Sequence, residues 1–117
     1  MKLAVIGSRE FNDFNLLCQK LDILMERKEI TLIISGGARG ADSLAERYAE
    51  ERGIPTQILK PDWEKFGKSA GFRRNADIID ACEVCIAFWD GKSKGTLHSI
   101  GLAKKKGIPV KVIELNS

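Results

Sequence analysis

The chain has 117 residues, with 19 Lys and Arg against 16 Asp and Glu for a net charge of +3, and is 44% hydrophobic and 30% charged. Those values fit one globular domain and exclude disordered and collagen-like classes. The mild positive charge permits an anionic ligand without announcing a nucleic-acid protein. No apolar run approaches the roughly 18–20 residues of a membrane span, and Leu3 to Ile6 is too short for a signal peptide, so a cytoplasmic, non-membrane protein is expected.

Leu3-Ala4-Val5-Ile6 reads as a first strand, ended by Gly7-Ser8. Leu16, Leu17, Leu21, Leu24 and Met25 recur near helical spacing, and Asn12 or Asp13 can cap that helix. Ile30 to Ile34 is β-branched and apolar, a second strand broken by Gly36-Gly37. Ala41 to Arg52 reads as a helix with Gly53 as its stop, and Pro55 to Leu59 as a third strand. Residues 60 to 71 hold Pro61, Trp63, Gly67 and Gly71 and read as a loop. Phe72 to Ala81 is helical, Val84 to Phe88 a fourth strand, Thr96 to Lys106 a helix ending at Gly107, and Pro109 to Ile113 the last strand.

Apolar strands alternating with helices predict an α/β protein: a Rossmann-like three-layer sandwich around a five-stranded parallel sheet. Right-handed crossovers with strand 1 central give the order 3-2-1-4-5. Ligands of such sheets bind outside the carboxyl ends of the strands, at the switch point.

Four segments are expected to meet there: Gly7-Ser8-Arg9, Ser35 to Asp42, Arg73-Arg74-Asn75, and Asp90 to Thr96. Each is read as offering free N–H groups at a helix start, where an anion binds. Ser8, Ser35 and Thr96 add hydroxyls, and Arg9, Arg39, Arg74, Lys92 and Lys94 add positive charge. A phosphate-bearing ligand suits such a mouth. Two common phosphate motifs are excluded. The first strand leads into no G-x-G-x-x-G, and Gly91-Lys92-Ser93 lacks the first glycine of a P-loop, with Ile86 in its place. Gly36-Gly37 can also be read as a tight strand-to-helix turn, although Arg39 and Asp42 are groups a plain turn would not need.

These residues together resemble the SLOG superfamily, which joins the Smf/DprA proteins to the LOG nucleotide phosphoribohydrolases. Ser35-Gly36-Gly37-Ala38-Arg39-Gly40-Ala41-Asp42 is similar to the S-G-x-A-R-G-x-D of the DprA proteins. Asp62-Trp63, Gly67, Ala70-Gly71 and Arg74-Asn75 follow the D-W-x(3)-G-x(2)-A-G-x(2)-R-N run of the small YspA-like branch of bacteria and phages. Gly91 to Thr96 stands where LOG enzymes carry P-G-G-x-G-T-x-x-E. The resemblance covers nearly the whole chain. It implies a nucleotide or nucleotide-derived ligand whose phosphate is held by Gly36, Gly37, Arg39 and Gly40, and by Gly95 and Thr96. Arg74 falls at the arginine of the LOG R-K-x-x-M, with Asn75 and Ile78 in place of its lysine and methionine. The LOG glutamate falls at Ser99, which cannot act as a carboxylate base.

Three functions follow. The leading expectation is binding of a nucleotide-derived ligand for sensing or sequestration. An enzyme cleaving nucleotides would need Asp42, Asp90 or Asp62 as a substitute carboxylate. DprA-like binding of single-stranded DNA is the third, disfavoured by the modest charge. His98 could serve as a general base near the start of the last helix, or be solvated or structural. Trp63 and Trp89 flank the mouth as candidates for stacking on a base, and Trp63 could instead plug its loop. Cys82 and Cys85 lead into a strand rather than a helix and read as buried small hydrophobes. With Cys18 they make an odd count, which suggests no disulfide framework. No metal site is expected from the soft ligands, although Asp42 and Asp90 leave Mg²⁺ open as a companion of phosphate. Homo-oligomers are common among small α/β domains, but no exposed apolar helix face predicts an interface.

Overall fold

The structure is a computed structural model and describes residues 1–115. Five strands, β1 (Lys2–Gly7), β2 (Leu32–Ser35), β3 (Thr56–Ile58), β4 (Val84–Trp89) and β5 (Val110–Glu114), form one sheet in the order β3-β2-β1-β4-β5. Every neighbouring pair is parallel. The helices are α1 (Phe14–Arg27), α2 (Ala41–Arg52), α3 (Trp63–Phe66), α4 (Ala70–Ala81) and α5 (Lys94–Lys106). This is the Rossmann-like α/β arrangement the strand pattern predicts.

The central strand explains the layering. Side chains alternate across a strand, and β1 is apolar on both faces. Leu3 and Val5 join Leu17, Leu21, Tyr48 and Ile86 on the α1–α2 face. Ala4 and Ile6 join Ile78, Ile79, Ala87 and Ile100 on the α4–α5 face. Cys82 and Cys85 lie buried in that second cluster as free thiols. Burial raises the pKa of both thiols, so neither resembles an activated nucleophile. No described helix is long and apolar enough to cross a membrane.

Caps set the helix limits. Asp13 Oδ1 accepts from the Leu16 N–H at 3.0 Å to start α1, and Gly53 and Gly107 close α2 and α5 in the left-handed conformation. Ser93 Oγ accepts from the Thr96 N–H at 3.3 Å, so α5 begins two residues before Thr96. The second strand starts at Leu32 rather than Ile30, because Thr31 donates its N–H to the Met1 carbonyl outside the sheet ladder.

One segment departs more widely. Residues 60 to 71 are not a plain loop: Asp62 caps α3 by accepting from the Lys65 N–H at 3.1 Å, a 3₁₀ turn spans Gly67–Ser69, and α4 begins at Ala70. Arg73-Arg74-Asn75 therefore lies inside α4. Arg74 and Asn75 contribute side chains to the mouth, not the free backbone N–H groups expected of a helix start, while Arg73 turns to Ser69 and the Phe66 ring.

Candidate functional site

Two loops cross at the carboxyl end of β1. Ser8 donates its N–H to the Phe88 carbonyl at 2.9 Å, and its Oγ accepts from the Asp90 N–H at 3.2 Å, tying the β1 loop to the β4 loop. Its carbonyl accepts from the Ala41 N–H at 3.3 Å, tying the same loop to the start of α2. Gly40 sits at this crossing with φ +79°, and a Cβ there would strike the Ser8 and Arg9 backbone carbonyls. A side chain is excluded twice over, by conformation and by contact. Gly40 lets two backbones touch, and it does not line the mouth.

Arg74 crosses from α4 to the end of β2. Its Nη1 donates to the Gly36 carbonyl at 2.6 Å, and its Nε to Asn75 Oδ1 at 3.1 Å. Asn75 Nδ2 donates in turn to the Gly95 carbonyl at 3.4 Å, linking α4 to the start of α5. A Cβ on Gly36 would collide with the Arg74 guanidinium and lie 2.9 Å from Asp42 Oδ2, so only glycine admits this approach. Asp42 is buried in the first turn of α2, where its Oδ2 accepts from the Ala38 N–H at 3.2 Å. Burial pushes its pKa up to about 6, against the opposing pull of that N–H and of Arg74. Burial also lowers the pKa of Arg74; Asp42 opposes that shift and the like charge of Arg9 adds to it.

The β4–α5 loop is held by Asp90. Its Oδ1 accepts from the Lys92 and Ser93 N–H groups at 2.8 and 2.9 Å, which keeps the carboxyl below its ordinary value. Ser93 Oγ and Thr96 Oγ1 lie 2.9 Å apart at the start of α5, and Ser99 is buried one turn further on.

These elements enclose a cleft of about 510 Å³. It gathers Gly7, Ser8, Arg9, Asp42, Trp63, Arg74, Asn75, Asp90, Gly95 and Thr96 of the expected site, and Ser99 lines its wall. Gly36, Gly37 and Arg39 instead line an adjoining hollow of about 460 Å³. Arg39 pairs with Glu10 at 2.7 Å, with both side chains exposed.

Ser35, Gly40, Gly91, Trp89 and His98 line neither space. Ser35 is turned toward Glu46, to which its hydroxyl donates at 3.2 Å, and Gly91 with φ +80° belongs to the Asp90 turn. Trp89 donates its indole N–H to the Ser93 carbonyl at 3.1 Å and packs on the α4–α5 core. His98 stands edge-on to Phe72 with ring centroids 4.6 Å apart, and its buried Nδ1 has no hydrogen-bond partner. Phe72 and Leu97 are exposed large hydrophobics on α4 and α5, apolar surface that helical periodicity did not bring out.

The sequence reading missed Lys68, Phe72 and Ser93 in the cleft and Lys60 in the hollow. The D-W-x(3)-G-x(2)-A-G run that contains Lys68 was the signal available. Among the described residues no three His, Cys, Asp or Glu side chains gather as a metal site.

Three comparisons bear on this geometry. The family described as "YspA, cpYpsA-related SLOG family" matches residues 1–66. The Gene 61 protein of Mycobacterium phage D29 is 37% identical over 116 residues, covering 93% of each chain. A structure of DNA processing protein A from Helicobacter pylori, described as having a unique single-stranded DNA binding mode, superposes with a TM-score of 0.76 at 23% identity. That likeness covers 99% of this chain and 66% of the other, just under two thirds of its length, and it shows a shared fold.

Proposed function

Because the chain belongs to the YspA- and cpYpsA-related SLOG family, we propose that it binds a nucleotide or nucleotide-derived phosphate in the cleft at the carboxyl ends of the strands. The observation that carries this reading is that Arg74 and Arg9 both line the cleft and neither makes a salt bridge among the described residues. The like charge of Arg9 lowers the Arg74 pKa, though less than Asp42 raises it. A phosphate beside them gains charge-assisted hydrogen bonds. The first turns of α2 and α5 add dipole and N–H support for an anion. Asp42 offers an acceptor for a sugar hydroxyl, and exposed Trp63 a face for a base.

Binding is favoured over turnover. Ser99 lines the cleft where resemblance to the LOG enzymes places a glutamate. Asp90 is engaged by its own loop, which leaves Asp42 as the buried carboxyl facing the ligand space. The biological role follows as sensing or sequestration of the ligand. A second reading is single-stranded DNA binding, favoured by the shared fold with the Helicobacter pylori protein.

The test is to incubate the protein with AMP, ADP-ribose, NAD and cyclic dinucleotides and identify by mass what remains bound and what appears free. Unchanged nucleotide is expected on the protein, and Arg74→Ala should weaken it about 30-fold or more, on the order of 2 kcal/mol. Retention of no nucleotide would overturn the reading. Free base or ribose phosphate would replace it with an enzyme using Asp42. Tight capture of an oligodeoxynucleotide alone, falling steeply with salt, would replace it with DNA binding.

A further inference from the structure

Resting on the reading above, we infer that the ligand is bipartite: two nucleosides joined through phosphate, one seated in the cleft and one in the adjoining hollow. The two spaces, about 510 and 460 Å³, both open to solvent and share Arg9, Ala38, Trp63 and Arg74 as a common wall. Each falls in the range that takes one small-molecule unit. A mononucleotide in the cleft would leave the hollow empty.

The wall suits a linkage. Arg9 and Arg74 border both spaces, so their positive charge lies where the two meet. A phosphate there meets both guanidiniums while its two substituents extend to opposite sides. The Arg74 side chain is already held, with Nη1 donating to the Gly36 carbonyl and Nε to Asn75 Oδ1, so little side-chain freedom remains to be lost on binding, and its Nη2 is left to meet a ligand.

Trp63 is the second feature of the wall. It is 54% exposed, a large indole left to solvent on a four-residue helix, and it borders both spaces. It offers one base a stacking surface. Each space also has cations of its own. Lys68 and Lys92 line the cleft only, and Lys60 and Arg39 the hollow only. Lys60 and Lys68 are exposed on the segment between β3 and α4. Their positions allow each half of the ligand to be probed apart from the fold.

Two sources supply this chemistry: a free dinucleotide, or one dinucleotide step of a single strand. Isothermal titration with AMP, with the dinucleotide NAD and with a ten-residue oligothymidylate separates them. The dinucleotide is expected to bind about 100-fold more tightly than AMP, the gain from linking two seated units. Lys60→Ala should cost the dinucleotide about threefold to tenfold and leave AMP unchanged, because Lys60 lines the hollow alone and AMP takes the cleft. An oligothymidylate no tighter than the dinucleotide identifies the free molecule as the source. A much tighter one with a steep salt dependence identifies the strand.

Equal affinities for AMP and the dinucleotide, or a Lys60→Ala variant that binds the dinucleotide as the parent does, would overturn the bipartite ligand and leave nucleotide binding standing. Failure of AMP, dinucleotide and oligomer alike would overturn both. Circular dichroism melts of the Lys60→Ala variant check its folding, which this exposed position should leave intact.

Discussion

The two ends of the sheet solve the same problem differently. At the amino ends of the strands, connections close through the backbone. The Thr31 N–H donates to Met1, Glu83 to Lys2, Ile33 to Pro55 and Cys85 to Pro109. Glycines 53 and 107 end their helices with open space around them, and an exposed ion pair between Lys106 and Asp80 joins α5 to α4. At the carboxyl ends the backbone closes as well, with the Ser8 N–H donating to Phe88, Leu59 to Ser35 and Leu115 to Trp89, but polar side chains are buried there too. Ser8, Ser35, Asp42, Asn75, Thr96 and Ser99 are the buried polar residues among those described, and all of them lie at this end. Burying polar groups costs stability unless each finds a partner. The fold adds that cost only at the end where the cleft lies. The difference teaches that stability and ligand recognition are assigned to opposite ends of the same strands.

The sharpest break of that comparison uses one helix. Gly40 and Gly53 bracket α2, one at each end of the sheet, and both have positive φ, +79° and +67°. A Cβ on Gly53 meets nothing within 4 Å, whereas on Gly40 it strikes the Ser8 and Arg9 backbone. Gly53→Ala should cost about 1 kcal/mol, the conformational term alone. Gly40→Ala adds a backbone collision that cannot be relieved by a rotamer, for a total of about 2–5 kcal/mol. Urea denaturation of both variants checks the ratio. Equal losses would mean that the loop crossing yields easily and is not a rigid frame for the cleft.

The next effect sharpens the contrast through pH. Folding raises the Asp42 carboxyl from 3.8 to about 6. Below the lower value it is neutral in both states and carries no penalty. As pH rises, the unfolded chain ionises first and stability falls, until the folded carboxyl has also ionised above about 6. At about 1.4 kcal/mol per pH unit across that gap, the loss is on the order of 3 kcal/mol. Asp42→Asn should remove this fall between pH 4 and 7, while retaining an acceptor for the Ala38 N–H. The difference in stability between parent and variant, followed by denaturation across that range, isolates the group from the exposed acids. A parallel pair of curves would contradict it.

Much of this asymmetry was legible in the amino acids. Leu3 to Ile6 and Val84 to Phe88 are continuous apolar runs of the kind only a doubly covered parallel strand needs, and the strand order followed from them. Gly53 and Gly107 marked helix ends because their chemistry is local. The segment before α4 was not legible: a four-residue helix shows no period, and Pro61, Gly67 and Gly71 punctuate it like a loop. Its Asp62 cap was the one local sign. At the site, the glycines and arginines indicated which loops converge, but not which way each group turns. Gly36 and Gly40 read as phosphate cradles; in the structure Gly36 admits the Arg74 guanidinium and lines the hollow, and Gly40 admits the Ser8 and Arg9 backbone. Direction depends on helix register and on partners distant in sequence, such as Gly36 for Arg74, 38 positions away.

The tryptophans give the smallest effect, and they test the comparison within the cleft end itself. Trp89 and Trp63 both flank the mouth in the sequence, yet the structure divides their roles. Trp89 spends its N–H on the Ser93 carbonyl and its ring on the core, which fixes the start of α5. Trp63 borders the ligand space and is mostly exposed. Trp89→Phe keeps the apolar contact and loses one hydrogen bond, so it should lower stability by about 1 kcal/mol and leave nucleotide affinity within about twofold. Trp63→Ala should leave the melting temperature unchanged and weaken the nucleotide by about 1–2 kcal/mol, the worth of one stacked base. Titration and thermal melts of the two variants side by side separate frame from contact. If Trp89→Phe weakened the ligand as much as Trp63→Ala, the division would fail, because stacking would then reach the residue that the Ser93 hydrogen bond holds against the core.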